Sequence, residues 1–145
     1  MDLWPKDIGS STLKSKSPAA ILKEQASVLG EKTNNIVTAE VRRGEASEGK
    51  LSYSFYLTSK PLNYRYKLFK IIYSLDNPYP VDFVEAEEEI EKVLSEYLAK
   101  KPALVTVPPC PEAKSEEEFL NILGKIFNAE KTKRIVNSLI AESEV

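Results

Sequence analysis

The middle of the chain alternates between apolar and polar residues. Leu51, Tyr53, Phe55 and Leu57 take one parity, and Ser52, Ser54, Tyr56 and Thr58 take the other. A period of two predicts an antiparallel strand with one face on a core and the other in water. Val37, Ala39 and Val41 alternate with Thr38, Glu40 and Arg42 in the same way, which predicts an earlier strand over Ile36 to Arg43. The polar run Gly44 to Gly49 between them reads as a hairpin loop. Lys60-Pro61-Leu62-Asn63 is the next turn signal, and Tyr64 to Leu75 the next strand. Here the alternation breaks. Tyr64, Tyr66 and Leu68 share one parity, whereas Phe69, Ile71, Tyr73 and Leu75 share the other. Either a β-bulge near Leu68 switches the faces, or the strand is covered on both sides. Asp76-Asn77-Pro78-Tyr79-Pro80 turns the chain into a short strand, Val81 to Val84.

Outside this block the period changes to that of a helix. Ser17-Pro18 is a helix start, with serine placed to cap and proline at the first helical position. Ile21, Leu22, Val28 and Leu29 carry the helix to about Leu29, and Gly30 suits a left-handed end. Glu85 to Lys100 predicts a second helix, with Ile90, Val93, Leu94, Tyr97 and Leu98 as its apolar stripe. Its acidic first turns and its terminal Lys100 and Lys101 both favour the helix dipole. Ala103 to Val107 fits a fifth strand, closed by Pro108-Pro109-Cys110-Pro111. Ser115-Glu116-Glu117-Glu118 is a capping box opening a third helix with Phe119, Leu120, Ile122, Leu123, Ile126 and Phe127. After a turn near Asn128, Ile135, Val136, Leu139 and Ile140 define a last helix. The predicted fold is α+β: an antiparallel four- to five-stranded meander with a leading helix, a second helix after the sheet and a C-terminal αα-hairpin. Residues 1–16 read as an N-terminal arm anchored by docking of Trp4. Residues 17–145 read as a single domain, with helix, sheet and second helix over 17–107 and the helical hairpin over 112–145.

Length and composition narrow the chemistry. The 145 residues suit one domain large enough to bury a core, and 42% hydrophobic with 29% charged residues is ordinary globular usage. The sequence holds no histidine, which closes histidine-based acid–base catalysis, Ser-His-Asp and Cys-His activation, and histidine-ligated metal sites. A lone cysteine, Cys110, forms neither an internal disulfide nor a Cys-rich zinc site. With no secretory pattern at MDLWPKDIGS, a cytoplasmic location is expected, and no apolar run is long enough to span a membrane. The five glycines form no phosphate-binding pattern, so no cofactor is implied.

Charge singles out one surface. Between Gly49 and Leu75 the charged residues are Lys50, Lys60, Arg65, Lys67 and Lys70, all basic, interleaved with tyrosines. Lys60, Tyr64, Arg65, Tyr66, Lys67 and Lys70 form a candidate binding patch. Cations that meet phosphates and rings that stack on bases are the means of single-stranded nucleic-acid binding. Tyrosine is also a common strand residue, and edge lysines block unwanted pairing. The stretch Asp76 to Glu96 is acidic and compensates the basic run if the two pack together. Asp82, Glu85, Glu87, Glu88 and Glu89 are the carboxylates a Mg²⁺-dependent nuclease would draw on. The nearest Glu-x-Lys element is Glu40-Val41-Arg42, where arginine stays protonated and cannot act as a base. The favoured function is a non-enzymatic protein-binding module, its partner another protein or its own copy, contacted through the sheet or the C-terminal hairpin. Nucleic-acid binding is the alternative and a metal nuclease the third reading.

Overall fold

The computed structural model describes residues 1–9, 16–99 and 111–145. The elements run α1 (Pro18–Lys32), β1 (Thr38–Arg43), β2 (Lys50–Ser59), β3 (Tyr64–Ser74), β4 (Val81–Ala86), α2 (Glu88–Ala99), β5 (Glu112–Ala113), α3 (Glu116–Phe127) and α4 (Glu130–Ser143). The strands form one five-stranded antiparallel sheet in the order β1-β2-β3-β4-β5. This is the predicted meander with its leading helix, post-sheet helix and helical hairpin. The strand expected over Ala103 to Val107 lies outside the described residues, as do Lys100, Lys101 and Cys110. The fifth strand is Glu112–Ala113.

Short turns with the required chemistry set the register. Ser47 and Lys50 exchange backbone hydrogen bonds around Glu48 and Gly49, both at positive φ (50° and 76°). That is the two-residue turn whose twist matches flanking strands. Between β2 and β3, Asn63 donates its N–H to the Lys60 carbonyl at 3.1 Å and itself takes φ 49°. Pro61 presets the turn and asparagine tolerates the left-handed region.

The broken alternation of β3 is a bulge. Phe55 faces Phe69 and the next residue, Tyr56, faces Lys67, so Leu68 is the extra residue. Tyr64 and Tyr66 therefore share a face with Phe69, Ile71 and Tyr73. A second irregularity follows in β4, where Lys70 faces Glu85 and Ile71 faces Phe83. The bulge brings Tyr66, Phe69, Ile71 and Tyr73 to one side, where the helices pack, and leaves Ile72 on the other. The five phenylalanines of the chain link the layers through their rings. Phe55 stacks on Phe69 at 5.2 Å and Phe69 meets Phe83 at 5.6 Å. Phe119 meets Phe83 at 5.8 Å, and Phe127 meets Phe55 at 5.4 Å. The C-terminal hairpin thus covers its own sheet.

Four local expectations change. Helix α1 continues through Gly30 to Lys32, because Gly30 is buried and an added Cβ would lie 3.0 Å from Asn35 Oδ1. That glycine serves close approach, and the helix ends at Thr33. Ser17 does not cap with its side chain; its hydroxyl lies 3.3 Å from the Tyr73 hydroxyl. Glu85 belongs to β4, since it pairs with Lys70 in the ladder, and α2 begins three residues later at Glu88. Trp4 does not dock. It is 72% exposed, and the arm's hydrogen bonds are local, such as Trp4 N–H to Asp2 Oδ1 at 3.0 Å.

Candidate functional site

The patch residues separate onto the two faces of the sheet. Tyr64 and Tyr66 lie on the helix side, opposite Ser59 and Leu57. They line a groove of about 500 Å³ against α4, with Lys131, Arg134 and Ile135 on the other wall. Burial, then the Glu87 carboxylate, raises the Tyr66 phenol above its ordinary range. Arg65, Lys67 and Lys70 lie on the opposite face, and Lys60 sits exposed in the β2–β3 turn. The continuous basic and aromatic run of the sequence is therefore two surfaces. No pattern of sequence parity reveals this without the position of the bulge.

The face opposite the helices carries its own organised rows. Glu40, Tyr56 and Lys67 are cross-strand neighbours, and so are Arg42, Ser54, Lys70 and Glu85. Each basic side chain that β3 places here meets a carboxylate. Lys67 is ion-paired to Glu85, and Lys70 Nζ lies 3.9 Å from the same residue. Arg65 is 3.9 Å from Glu40, and its guanidinium sits 5.1 Å from the centre of the Tyr56 ring. Arg42 reaches Glu40 at 2.6 Å. The hydrogen bond from Lys67 lowers the Glu85 carboxyl below its usual range, with Lys67 and Lys70 charge adding to it. Because Leu68 is a bulge, Lys67 and Lys70 stand as neighbours on one face and share one acid. Glu40 and Glu85 are the members that the sequence-based patch lacked. Strand register was the missing signal.

The carboxylates grouped by the nuclease reading are dispersed. Glu85 serves the lysines of β3. Glu87 Oε2 accepts the N–H of Glu89 at 3.0 Å, at the start of α2, and Glu87 also lies 3.9 Å from Lys131. Glu89 pairs with Arg134 at 2.7 Å. Among the described residues, no group of three or more such side chains is placed to hold a metal ion. Glu87 and Glu89 are thus directed to α4, and the basic strand is compensated by Glu85 and Glu40.

A deeper groove of about 570 Å³ opens between α1 and the α3–α4 turn, floored by Phe55 and Leu57 and edged by Lys32 and Lys133. No helix among the described residues is long and apolar enough to cross a membrane. The class defined by these features is an α+β domain with an antiparallel meander, helices on one face and a charge-paired sheet surface on the other. No protein-family model matches the chain, and neither curated proteins nor solved structures give a significant match.

Proposed function

We propose that this protein is a non-enzymatic module that binds another protein through the helix-free face of its sheet. The observation that carries the reading is the pairing of Arg65, Lys67 and Lys70 with Glu40 and Glu85 around Tyr56. A surface of alternating sign with an aromatic residue among the charges complements a protein surface of matching mixed charge. A nucleic-acid backbone would have to displace two carboxylates before reaching the cations, and would itself be repelled by them. The two tyrosines of the candidate patch, Tyr64 and Tyr66, are on the other side of the sheet, and the Tyr56 ring on this side is already met by the Arg65 guanidinium. The absence of histidine from the sequence supports a non-catalytic role, since the commonest proton-transfer residue is lacking.

A photo-crosslinking residue at Thr58, beside Arg65 on this face, tests the proposal in the cells that make the protein. The expected result is one specific adduct that disappears in the Tyr56→Ala, Arg65→Glu double variant. An adduct of equal yield in that variant would sink the reading. Fluorescence anisotropy with a single-stranded oligonucleotide separates the alternative. No binding is expected at low salt, whereas a steep salt dependence that weakens on Lys67→Glu would favour nucleic acid.

A further inference from the structure

We infer that β1 pairs with β1 of a second copy, joining the sheets of two molecules edge to edge. β1 is the first strand of the sheet and, among the described residues, has one neighbour, β2. Gly44 donates its N–H to Ser52 at 2.9 Å, one step beyond the Arg42–Ser54 pair. Backbone groups alternate sides along a strand, so those of Thr38, Glu40 and Arg42 also point to β2. Those of Ala39, Val41 and Arg43 point outward. Thr33 closes the edge at Val37, its hydroxyl 2.6 Å from the Val37 carbonyl and 3.2 Å from its N–H. Among the described residues Ala39 to Arg43 remains as an open edge, with no proline and no bulge to blunt it.

The side chains of this edge select one arrangement. Opposite residues in an antiparallel pair share a face, so symmetric pairing sets residues of like parity against each other. Placing Val41 against Val41 of the second copy sets each Glu40 against the other copy's Arg42. Both pairs lie on the helix-free face, at positions where side chains are closest. A shift in one direction sets Glu40 against Glu40, and in the other Arg42 against Arg42. Like charges directly opposite are unfavourable, so both neighbouring registers are disfavoured. Arg43, stationed 5.9 Å from the Tyr53 ring centre, falls opposite Ala39 and leaves the seam clear. The strand is self-complementary in charge and backbone bonding at once. The seam borders the binding face proposed above and shares Glu40 and Arg42 with it, but its backbone bonds are those of the β1 edge and do not depend on that face's partner.

Sedimentation velocity over a wide concentration range tests this. The expected wild-type result is a monomer–dimer equilibrium. Val41→Pro removes an outward N–H that β2 does not use, and should give a folded monomer. Glu40→Arg and Arg42→Glu should each weaken the homodimer about tenfold or more, through like-charge contacts. Mixing these two variants should restore a dimer, because every cross-strand pair is then Arg against Glu. A wild type that stays monomeric at submillimolar concentration overturns the inference. So does a mixture no more associated than its components, with circular dichroism confirming that both are folded. Crosslinking at Thr58 in the Val41→Pro variant reports the helix-free face separately.

Discussion

Thr132 brings a hydroxyl into the core. It is 4% exposed and donates to the Ile126 carbonyl at 2.7 Å, fastening the start of α4 to the end of α3. Thr132→Val keeps the shape and removes the donor, leaving the Ile126 carbonyl with the Ala129 N–H at 3.2 Å alone. The expected cost is ~1–2 kcal/mol, measured by urea denaturation. Tyr79 is a half-buried polar group with a defined consequence. Burial, reinforced by Glu116, pushes its phenol from an ordinary 10.0 up to about 12, and its hydroxyl donates to the Lys16 carbonyl at 3.2 Å. The folded value is the higher one, so the contribution is complete below pH 10.0 and is lost as pH rises through about 12. The denaturation midpoint should fall across that window, and Tyr79→Phe should flatten the fall. An unchanged alkaline slope in the variant would refute this assignment.

At the scale of elements, turn chemistry was legible and tertiary constraint was not. Pro61 and Asn63 announced their hairpin, and Ser115 announced α3, where its Oγ accepts the Glu118 N–H at 3.1 Å. Gly30 misled because a glycine that permits close packing and one that ends a helix look alike in sequence. Glu85 misled because an acid at the end of a strand reads as the first turn of the helix that follows. The patch misled for the same reason as β3: Lys67 and Lys70 have opposite parity, and only the bulge puts them on one face. One turn is improvable. Glu48 holds φ 50° beside Gly49, a conformation asparagine tolerates better than glutamate. Glu48→Asn should raise stability by ~0.5–1 kcal/mol, read as a rise in the thermal midpoint with function unaffected.

At the scale of the molecule, the two faces of the sheet follow different physics. The helix side is held by apolar burial. Phe119 is 0% exposed and joins α3 to Phe83 and Tyr79. Phe119→Ala should cost ~3–5 kcal/mol, seen as an equal loss by fluorescence and circular dichroism. The other face is held by exposed ion pairs, each contributing little to stability. Its charges are therefore free to be tuned for recognition without endangering the fold. That division explains how the α+β architecture could be inferred from periodicity alone, while the membership of the surface could not. Burial writes its period into the sequence, and ion pairing across strands is written only in register.

The inserted Leu68 makes this protein an unusual subject for residue deletion. Without it, β3 would read Tyr-Arg-Tyr-Lys-Phe-Lys-Ile-Ile-Tyr, an unbroken alternation in which every remaining side chain keeps its present face. Excision of Leu68 should leave the strand order and the Lys67–Lys70 adjacency intact. Its cost should be that of an emptied core position, ~2–5 kcal/mol, together with the bond from Glu87 N–H to the Leu68 carbonyl. Excision of Ile72, in the regular part of the same strand, has no such escape. It would turn one half of the strand inside out, exposing Phe69 and burying Lys67 and Lys70 on one side of the gap or expelling Tyr73 from the core on the other. Amide hydrogen exchange on the two deletion variants would distinguish a strand that has lost a spare residue from one that has lost its reading frame.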